Sequence, residues 1–234
     1  MSGVLYCVGL GPGDPELITR KAARIISEAR VIFFPAPEGG TSFARSIADD
    51  LFSPDVEEHP IPIPMEEEQF AALTAYTEAA ETIGQFLAED TDVVVLCQGD
   101  PFFYGSFIYL FERIDRRFRI EVVPGVTSMT SCSAAALQPL CGRRETLTIL
   151  PALLPEDELA DRLTSPDPFV IVKIGRHAGK LKRVLGRSGR IDGARYVSHA
   201  SLEHQRILPL AEAPEVAPYF STVIVPGNRL LDVC

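Results

Sequence analysis

A short unbroken apolar run, Val93-Val94-Val95-Leu96, stops at Gly99-Asp100-Pro101, and this junction constrains the fold more than any other stretch of the chain. A run of β-branched residues without polar alternation reads as a strand buried on both faces. Such a strand belongs in a sheet covered on each side. A buried strand ending in a glycine, a carboxylate and a rigid proline is how an open α/β sheet presents chemistry at its carboxyl edge. Phe102-Phe103-Tyr104 follow at once and are placed to wall a flat organic ligand. The same residues also read as plain architecture, with Asp100 as a helix N-cap and Pro101 as the first helical residue.

The rest of the chain fits a sheet of that kind. Residues 4–8 form an apolar strand that empties into Gly9-Leu10-Gly11-Pro12-Gly13-Asp14-Pro15. Leu17, Ile18, Ala22, Ile25, Ile26 and Ala29 then recur at helical spacing, with Asp14 as N-cap, and residues 31–34 form the next strand. A short helix is predicted over 43–52. Pro60, Pro62 and Pro64 make 57–64 an edge strand or a stiff connector. A long helix runs from the acidic Glu66–Glu68 start, which suits the helix dipole, to residue 87. Residues 105–117 read as helix, and 120–123 as a strand stopped by Pro124-Gly125. This first half is βαβαβαβαβ, a parallel sheet with crossover helices. The second half offers a small-residue helix at 129–137 and helices at 156–163 and 179–185. Its strands, at 147–150, 169–174, 194–197, 207–210 and 222–225, are less regularly separated by helices, so a mixed sheet is expected. The reading is an α/β chain of two domains, 1–122 and 123–234, with the joint near 118–124 and a ligand cleft between them.

Composition narrows the function classes. With 46% apolar and 23% charged residues the chain is an ordinary globular one, and no apolar run approaches the roughly 20 residues of a membrane helix. The start, MSGVLYCVGL, lacks the basic opening and long apolar middle of a signal peptide, so a cytoplasmic location is expected. The five cysteines are scattered without a CxxC, as suits reduced thiols, and no metal site is expected: His199 and His204, five apart, would fall on different faces of a helix, and no HExxH occurs. A net charge of −10 argues against a nucleic-acid partner. Yet Lys173, Arg176, Lys180, Lys182, Arg183, Arg187 and Arg190 fall in a window without an acid, which suggests a small polyanionic ligand. A second basic cluster, Arg113, Arg116, Arg117 and Arg119, reads as a solvated face.

Several chemistries are disfavoured by what is missing. The glycines at 9, 11 and 13 are not a GxGxxG, and Phe34-Pro35-Ala36 supplies no acid for a ribose after the second strand. The chain has no GxxxxGK[ST] and no GxSxG, and Ser131-Cys132-Ser133 reads as helix packing. What remains is glycine turns at strand ends, aromatic walls and a basic strip. That set suits a reaction whose substrates carry the reactivity while the protein aligns them.

Three motifs carry a resemblance. Gly9-Leu10-Gly11-Pro12-Gly13-Asp14-Pro15-Glu16-Leu17-Ile18-Thr19 resembles the opening motif of the tetrapyrrole methylases, Gly99-Asp100-Pro101 their second, and Val123-Pro124-Gly125-Val126-Thr127-Ser128 their third. Within the family, the stretch from Cys97 to Phe107, Leu150-Pro151-Ala152 and Val172-Lys173-Ile174-Gly175-Arg176 resemble the members that methylate C20 of precorrin-2. One position departs from expectation, since Gln98 stands where an acid is expected, while position 173 keeps a lysine that sister enzymes often replace.

The resemblance implies the two-domain fold of class III methyltransferases, S-adenosylmethionine as methyl donor with S-adenosylhomocysteine as product, a precorrin-2 acceptor in cobalamin synthesis, and a homodimer. By motif position it places the cofactor against Pro12, Gly99, Asp100, Pro101, Tyr104, Thr127, Ser128, Ile174 and Ala200, with Leu153 a further candidate. Asp100 is expected to hold the ribose or methionine amine rather than relay a proton. Arg143, Arg144, Arg176 and Lys180 are candidate clamps for the acceptor's carboxylates. Lys173 and Tyr196, with His199 behind them, are candidates for adjusting protonation at the meso carbon. A cobalt-loaded acceptor, a sister methylase acting on another ring carbon, and a non-catalytic binder of anionic tetrapyrroles are the competing readings.

Overall fold

A computed structural model describes residues 2–63 and 69–227, without the side chains of residues 69–72. The acidic helix start expected at Glu66–Glu68 lies outside the described residues. The chain divides into two compact units, Met1–Thr127 and Ser128–Cys234.

The first unit is built from β1 (Val4–Gly9), α1 (Arg20–Ser27), β2 (Val31–Pro37), α2 (Phe43–Ile47), β3 (Glu57–Ile63), α3 (Gln69–Ala88), β4 (Val93–Cys97), α4 (Phe107–Phe111) and β5 (Arg119–Val123). Its five strands pair in the order β3-β2-β4-β1-β5, every pairing parallel, as the alternation of strand and helix predicts. Every residue of β4 is buried. Its alternate side chains enter different cores. Val93, Val95 and Cys97 pack with Leu5, Cys7, Ile83, Leu87 and Phe107, while Val94 and Leu96 pack with Val8, Ile25, Ile26 and Ile32. The prolines sit where a missing N–H costs least. Pro60 and Pro62 lie on the edge strand β3, and Pro35 lies beyond the stretch of β2 that pairs with β4. β1 and β4 are neighbours whose onward connections run to opposite ends of the sheet, which makes their carboxyl ends a topological switch point.

Two helices differ from expectation. The predicted helix after β1 is broken: Asp14 caps a single 3₁₀ turn, Pro15–Leu17, Ile18 is extended, and the Thr19 hydroxyl restarts the helix by accepting from the Ala22 N–H at 3.2 Å. The helix expected over 105–117 shrinks to α4. On one side a Cβ at Gly105 would lie 2.6 Å from the Pro101 carbonyl oxygen, so this tight turn stays outside the helix. On the other, the Asp115 carboxylate captures the Arg117 N–H at 2.9 Å and ends the run in turns.

The second unit comprises α5 (Ser128–Ala135), β6 (Thr148–Pro151), α6 (Glu156–Arg162), β7 (Phe169–Val172), α7 (Ala178–Arg187), β8 (Arg195–Ser198), β9 (Arg206–Pro209) and β10 (Ser221–Val225). Its strand order is β6-β7-β10-β8-β9, with β6 and β7 parallel and the other pairs antiparallel, a mixed sheet as expected. α5 ends in a Schellman turn. Gln138 N–H donates to the Ser133 carbonyl at 3.0 Å and Leu137 N–H to Ala134 at 3.1 Å, with Leu137 left-handed at φ 49°.

The basic strip is largely consumed within this unit. Arg183 and Arg187 pair with Glu156 at 2.7 and 3.2 Å, and Lys182 pairs with Glu215 at 2.9 Å. Arg190 is buried and donates to the carbonyls of Ser165, Asp167 and Pro226. The window contains no acid, but folding brings acids to it from α6 and from the segment ahead of β10. In the first unit the other basic cluster is likewise satisfied locally. Arg113 donates to Thr77 and Tyr109, Arg116 lies 3.9 Å above the Phe111 ring, and Arg119 pairs with Glu121.

Candidate functional site

In the first unit the three glycine-bearing motifs meet at the carboxyl edge of the sheet. Gly11 and Gly99 exchange backbone hydrogen bonds, Gly11 N–H to Gly99 O at 3.2 Å and Gly99 N–H to Gly11 O at 2.7 Å. The third motif packs on this pair, backbone against backbone. A Cβ at Gly9 would lie 2.6 Å from the Gly125 nitrogen, and one at Gly125 would lie 2.1 Å from the Gly99 carbonyl oxygen. Neither position tolerates a side chain.

Asp100 completes the rim. One carboxylate oxygen accepts the Phe102 N–H at 3.0 Å and the other accepts the Gly125 N–H at 3.1 Å. Residue 100 is therefore an Asx turn that also ties the loop after β4 to the loop after β5. It caps no helix, since Pro101 and Phe102 are in a turn. Each oxygen thus accepts one backbone amide and keeps a second lone pair. Gly99 has φ 69°, and a Cβ there would meet nothing within 4 Å, so open space lies over this peptide. Pro12 and Pro101 are buried, Thr127 is half-buried, and Ser128 is exposed at the start of α5. Tyr104 is exposed at φ 54°, an uncommon conformation for an aromatic residue, with Phe103 edge-on at 5.2 Å.

In the second unit one edge of the sheet gathers most of the remaining candidates. The carboxyl ends of β6, β7 and β8 and the start of β10 share it, which brings Leu153, Lys173, Ile174, Arg176 and Ala200 to one rim. Lys173, Gly175, His199 and Ser201 there all have positive φ, between 41° and 70°. For the three that are not glycine such backbone is strained by on the order of 1 kcal/mol or more each, and strain of this kind clusters at functional sites. Leu153 and Tyr219 are exposed, whereas Ile174 and Ala200 are buried. A Cβ at Gly175 would meet nothing within 4 Å, so this rim too has a peptide open on one side.

The remaining candidates divide. Lys173 Nζ donates to the Tyr219 hydroxyl at 3.3 Å and sits 5.2 Å from that ring's centre. Tyr196, expected near the meso carbon, is 1% exposed and its hydroxyl meets Ser221 Oγ at 3.1 Å, so it is a core residue that cannot reach a reacting atom. Lys180 is a poor clamp: its Nζ donates to the Leu154 carbonyl at 2.6 Å, and burial lowers its proton affinity. Arg143, Arg144 and Arg176 are exposed. The structure adds Tyr219 and Phe220 to the rim. The only sequence sign of them is an aromatic pair ahead of the last strand, and it is the antiparallel pairing of β10 with β7 that carries the pair to this edge.

Cys7 and Cys97 lie side by side with sulfurs 3.4 Å apart, and burial first, then the neighbouring thiol, pushes the Cys7 proton affinity up. Burial raises the Cys132 thiol to about 11. These are inert packing thiols. Among the described residues no group of three or more His, Cys, Asp or Glu is placed to hold a metal ion, and no helix is long and apolar enough to cross a membrane.

Comparison with known proteins gives this geometry a family. The chain is 42% identical over 236 residues to cobalamin biosynthesis protein CobIJ of Mycobacterium tuberculosis, covering 97% of this chain and 46% of that protein. The chain thus spans about half the length of the mycobacterial relatives it matches. It is 39% identical to a precorrin-2 C(20)-methyltransferase of Sinorhizobium, covering 97% of this chain and 98% of the relative. It is 33% identical to a cobalt-precorrin-2 C(20)-methyltransferase of Salmonella typhimurium, covering 96% and 97%. Among solved structures, a cobalt precorrin-4 methyltransferase, CbiF, superposes with a TM-score of 0.75 at 22% identity, covering 95% and 94% of the chains. A uroporphyrin-III C-methyltransferase of Thermus thermophilus in complex with S-adenosylhomocysteine does so at 0.67 and 23%, covering 96% and 92%. These two likenesses show the shared fold. The family model for tetrapyrrole (corrin/porphyrin) methylases matches residues 4–214, and the chain belongs to that family.

Proposed function

We propose that this chain is an S-adenosylmethionine-dependent C-methyltransferase that methylates C20 of precorrin-2 to give precorrin-3A in cobalamin biosynthesis. The observation that carries the reading is the rim tied by Asp100 and by the Gly11–Gly99 pair, in a chain matched end to end by a relative named for this reaction. The name of the Salmonella relative makes the cobalt-loaded acceptor the second reading.

The donor fits the rim by the open face over Gly99, where a ligand atom can approach the backbone without meeting a side chain. Pro12, Gly99, Asp100, Pro101, Tyr104, Thr127, Ser128, Leu153, Ile174 and Ala200 are the residues that would hold it. Asp100 contributes by fixing its neighbours through both carboxylate oxygens, each of which keeps a lone pair for a donor on the ligand. When bound, the donor supplies an electrophilic methyl group on a sulfonium. The protein's part is alignment, and holding reactants at near-attack distance contributes on the order of 7–11 kcal/mol. Positive charge disperses as the methyl leaves, so a strong countercharge at the sulfur is unnecessary. Arg143, Arg144 and Arg176 are the clamps for the acceptor's carboxylates, and Arg176 shares its rim with Lys173 and Tyr219. Cytoplasmic location and a homodimer belong to the same proposal, as does the absence of a nucleic-acid partner, for which the net charge of −10 speaks.

The test is incubation with methyl-¹³C-labelled donor and either precorrin-2 or cobalt-precorrin-2, with the label located by NMR. The proposal expects label on C20 and stoichiometric S-adenosylhomocysteine. Label on another carbon makes the chain a sister methylase. Binding of the macrocycle without S-adenosylhomocysteine makes it a carrier.

A further inference from the structure

We propose that His199 is the catalytic base that takes the proton released from C20. The inference rests on the C-methylation reading above. Replacing hydrogen by methyl at a meso carbon must release a proton. The carbon's π electrons form the new C–CH₃ bond while the methyl–sulfur bond breaks with its pair left on sulfur. The C20–H pair then returns to the ring and the proton needs an acceptor.

The second unit's rim offers that acceptor at residue 199. Tyr196 is in the core, and Lys173 Nζ donates to the Tyr219 hydroxyl. His199 is the residue after β8, immediately before Ala200, half-buried and at the same edge as Lys173 and Tyr219. Its backbone is left-handed, at φ 51°, and is fixed in that state from two sides. The His199 N–H donates to the Phe220 carbonyl at 2.8 Å, and the His199 carbonyl accepts the Leu202 N–H at 3.0 Å. The ring is held between the imidazole of His204, 4.2 Å away centre to centre, and the edge of Phe220 at 6.0 Å. His204 is exposed, so the contact runs from the half-buried His199 ring to the surface.

The surroundings keep His199 in its accepting form. Burial first, then His204 and Arg206 on the β8–β9 connection and β9, lower its proton affinity below the ordinary histidine range. From the segment ahead of β10 it meets the uncharged ring of Phe220. The imidazole is therefore neutral at neutral pH and has a lone pair to offer.

The test combines single-turnover methylation of precorrin-2 across pH 5 to 8 with NMR titration of the histidines in the unliganded protein. His199→Asn is the variant of choice because asparagine tolerates the left-handed backbone. The wild-type rate should fall on the acid side with a midpoint below about 6.5, the ordinary histidine value, and the His199 resonance should titrate with the same midpoint. His199→Asn should lower the rate by roughly 10²- to 10⁴-fold and abolish the acid limb, while S-adenosylhomocysteine affinity and thermal midpoint stay at wild-type values. His204→Gln should retain the acid limb with a smaller loss. A His199→Asn variant with the wild-type rate, or with a loss matched by weakened S-adenosylhomocysteine binding, overturns the assignment. So does a native His199 that is protonated at neutral pH, and this reading stands even if the variant fails to fold. A wild-type protein that forms no S-adenosylhomocysteine with either precorrin-2 or cobalt-precorrin-2 overturns the methyltransferase reading and takes this inference with it.

Discussion

Asp100→Ala should destabilise the protein before any ligand is added. Its two carboxylate oxygens accept the Phe102 N–H at 3.0 Å and the Gly125 N–H at 3.1 Å. Hydrogen bonds to a charged acceptor contribute about 1.5–3 kcal/mol each, and partial exposure of this residue argues for the lower figure. The sum is about 3 kcal/mol. For a chain of this size each kcal/mol moves the thermal midpoint by about 2–4 °C, so a fall of roughly 6–12 °C is expected. Asp100→Asn is the sharper variant. An amide has one acceptor oxygen, so it can keep one of the two bonds, while its NH₂ faces the other N–H donor. It should therefore lose about half or more of the same stability. Circular dichroism melting of the ligand-free protein reads both. A carboxylate whose job is to hold the cofactor's ribose or amine would leave the ligand-free midpoint untouched. Variants that melt within about 1 °C of wild type but bind S-adenosylhomocysteine weakly would refute the tie and restore the holding role.

Three further outcomes follow from the geometry. Leu137 is 91% exposed and left-handed at φ 49°, so Leu137→Gly should raise stability by about 0.5–1 kcal/mol, read as a higher thermal midpoint. Arg190→Met should cost about 3 kcal/mol or more in denaturant titration, because three buried carbonyls lose a charged donor that methionine cannot replace. The bidentate Arg45–Glu58 pair, at 2.5 and 2.8 Å, holds the Glu58 carboxyl below its ordinary value of 4.5. Its folded pKa is depressed, so its contribution is present above pH 4.5 and is lost as pH falls through the lowered value. The pair is partly exposed and contributes about 1 kcal/mol or less; Glu58→Gln should remove that part of the acid sensitivity measured by melting between pH 3 and 6.

Much of the fold was legible because the signals were local. The unbroken run at 93–96 announced a strand buried on both faces, and the prolines at 60 and 62 left an edge strand or a stiff connector, of which the fold takes the edge strand. Helix ends were harder, since they turned on single contacts. No periodicity reveals that the Thr19 hydroxyl restarts a helix that Ile18 has interrupted, or that Gly105 is crowded by the Pro101 carbonyl. The basic strip misled for a related reason. A sequence window shows which charges are neighbours along the chain, not that Glu156 and Glu215 fold onto them. Within the candidate site, the turns after β1, β4 and β5 were visible as Gly-Pro punctuation. The pairing that joins them depends on contacts far apart in sequence: a backbone exchange between residues 11 and 99 and a carboxylate reaching from 100 to 125. Tyr219 was invisible for the same reason, because only the pairing of β10 with β7 brings it to Lys173.

In the proposed function the turns after the first and fourth strands of the parallel sheet grip the methyl donor. Crystals grown with S-adenosylhomocysteine test it most directly. Ligand density is expected against the Gly99–Asp100 peptide and Pro12, with the Asp100 carboxylate still bonded to the Phe102 and Gly125 amides. Density elsewhere, such as in the shallow depression bounded by Thr77, Gly84 and Phe118, would contradict it.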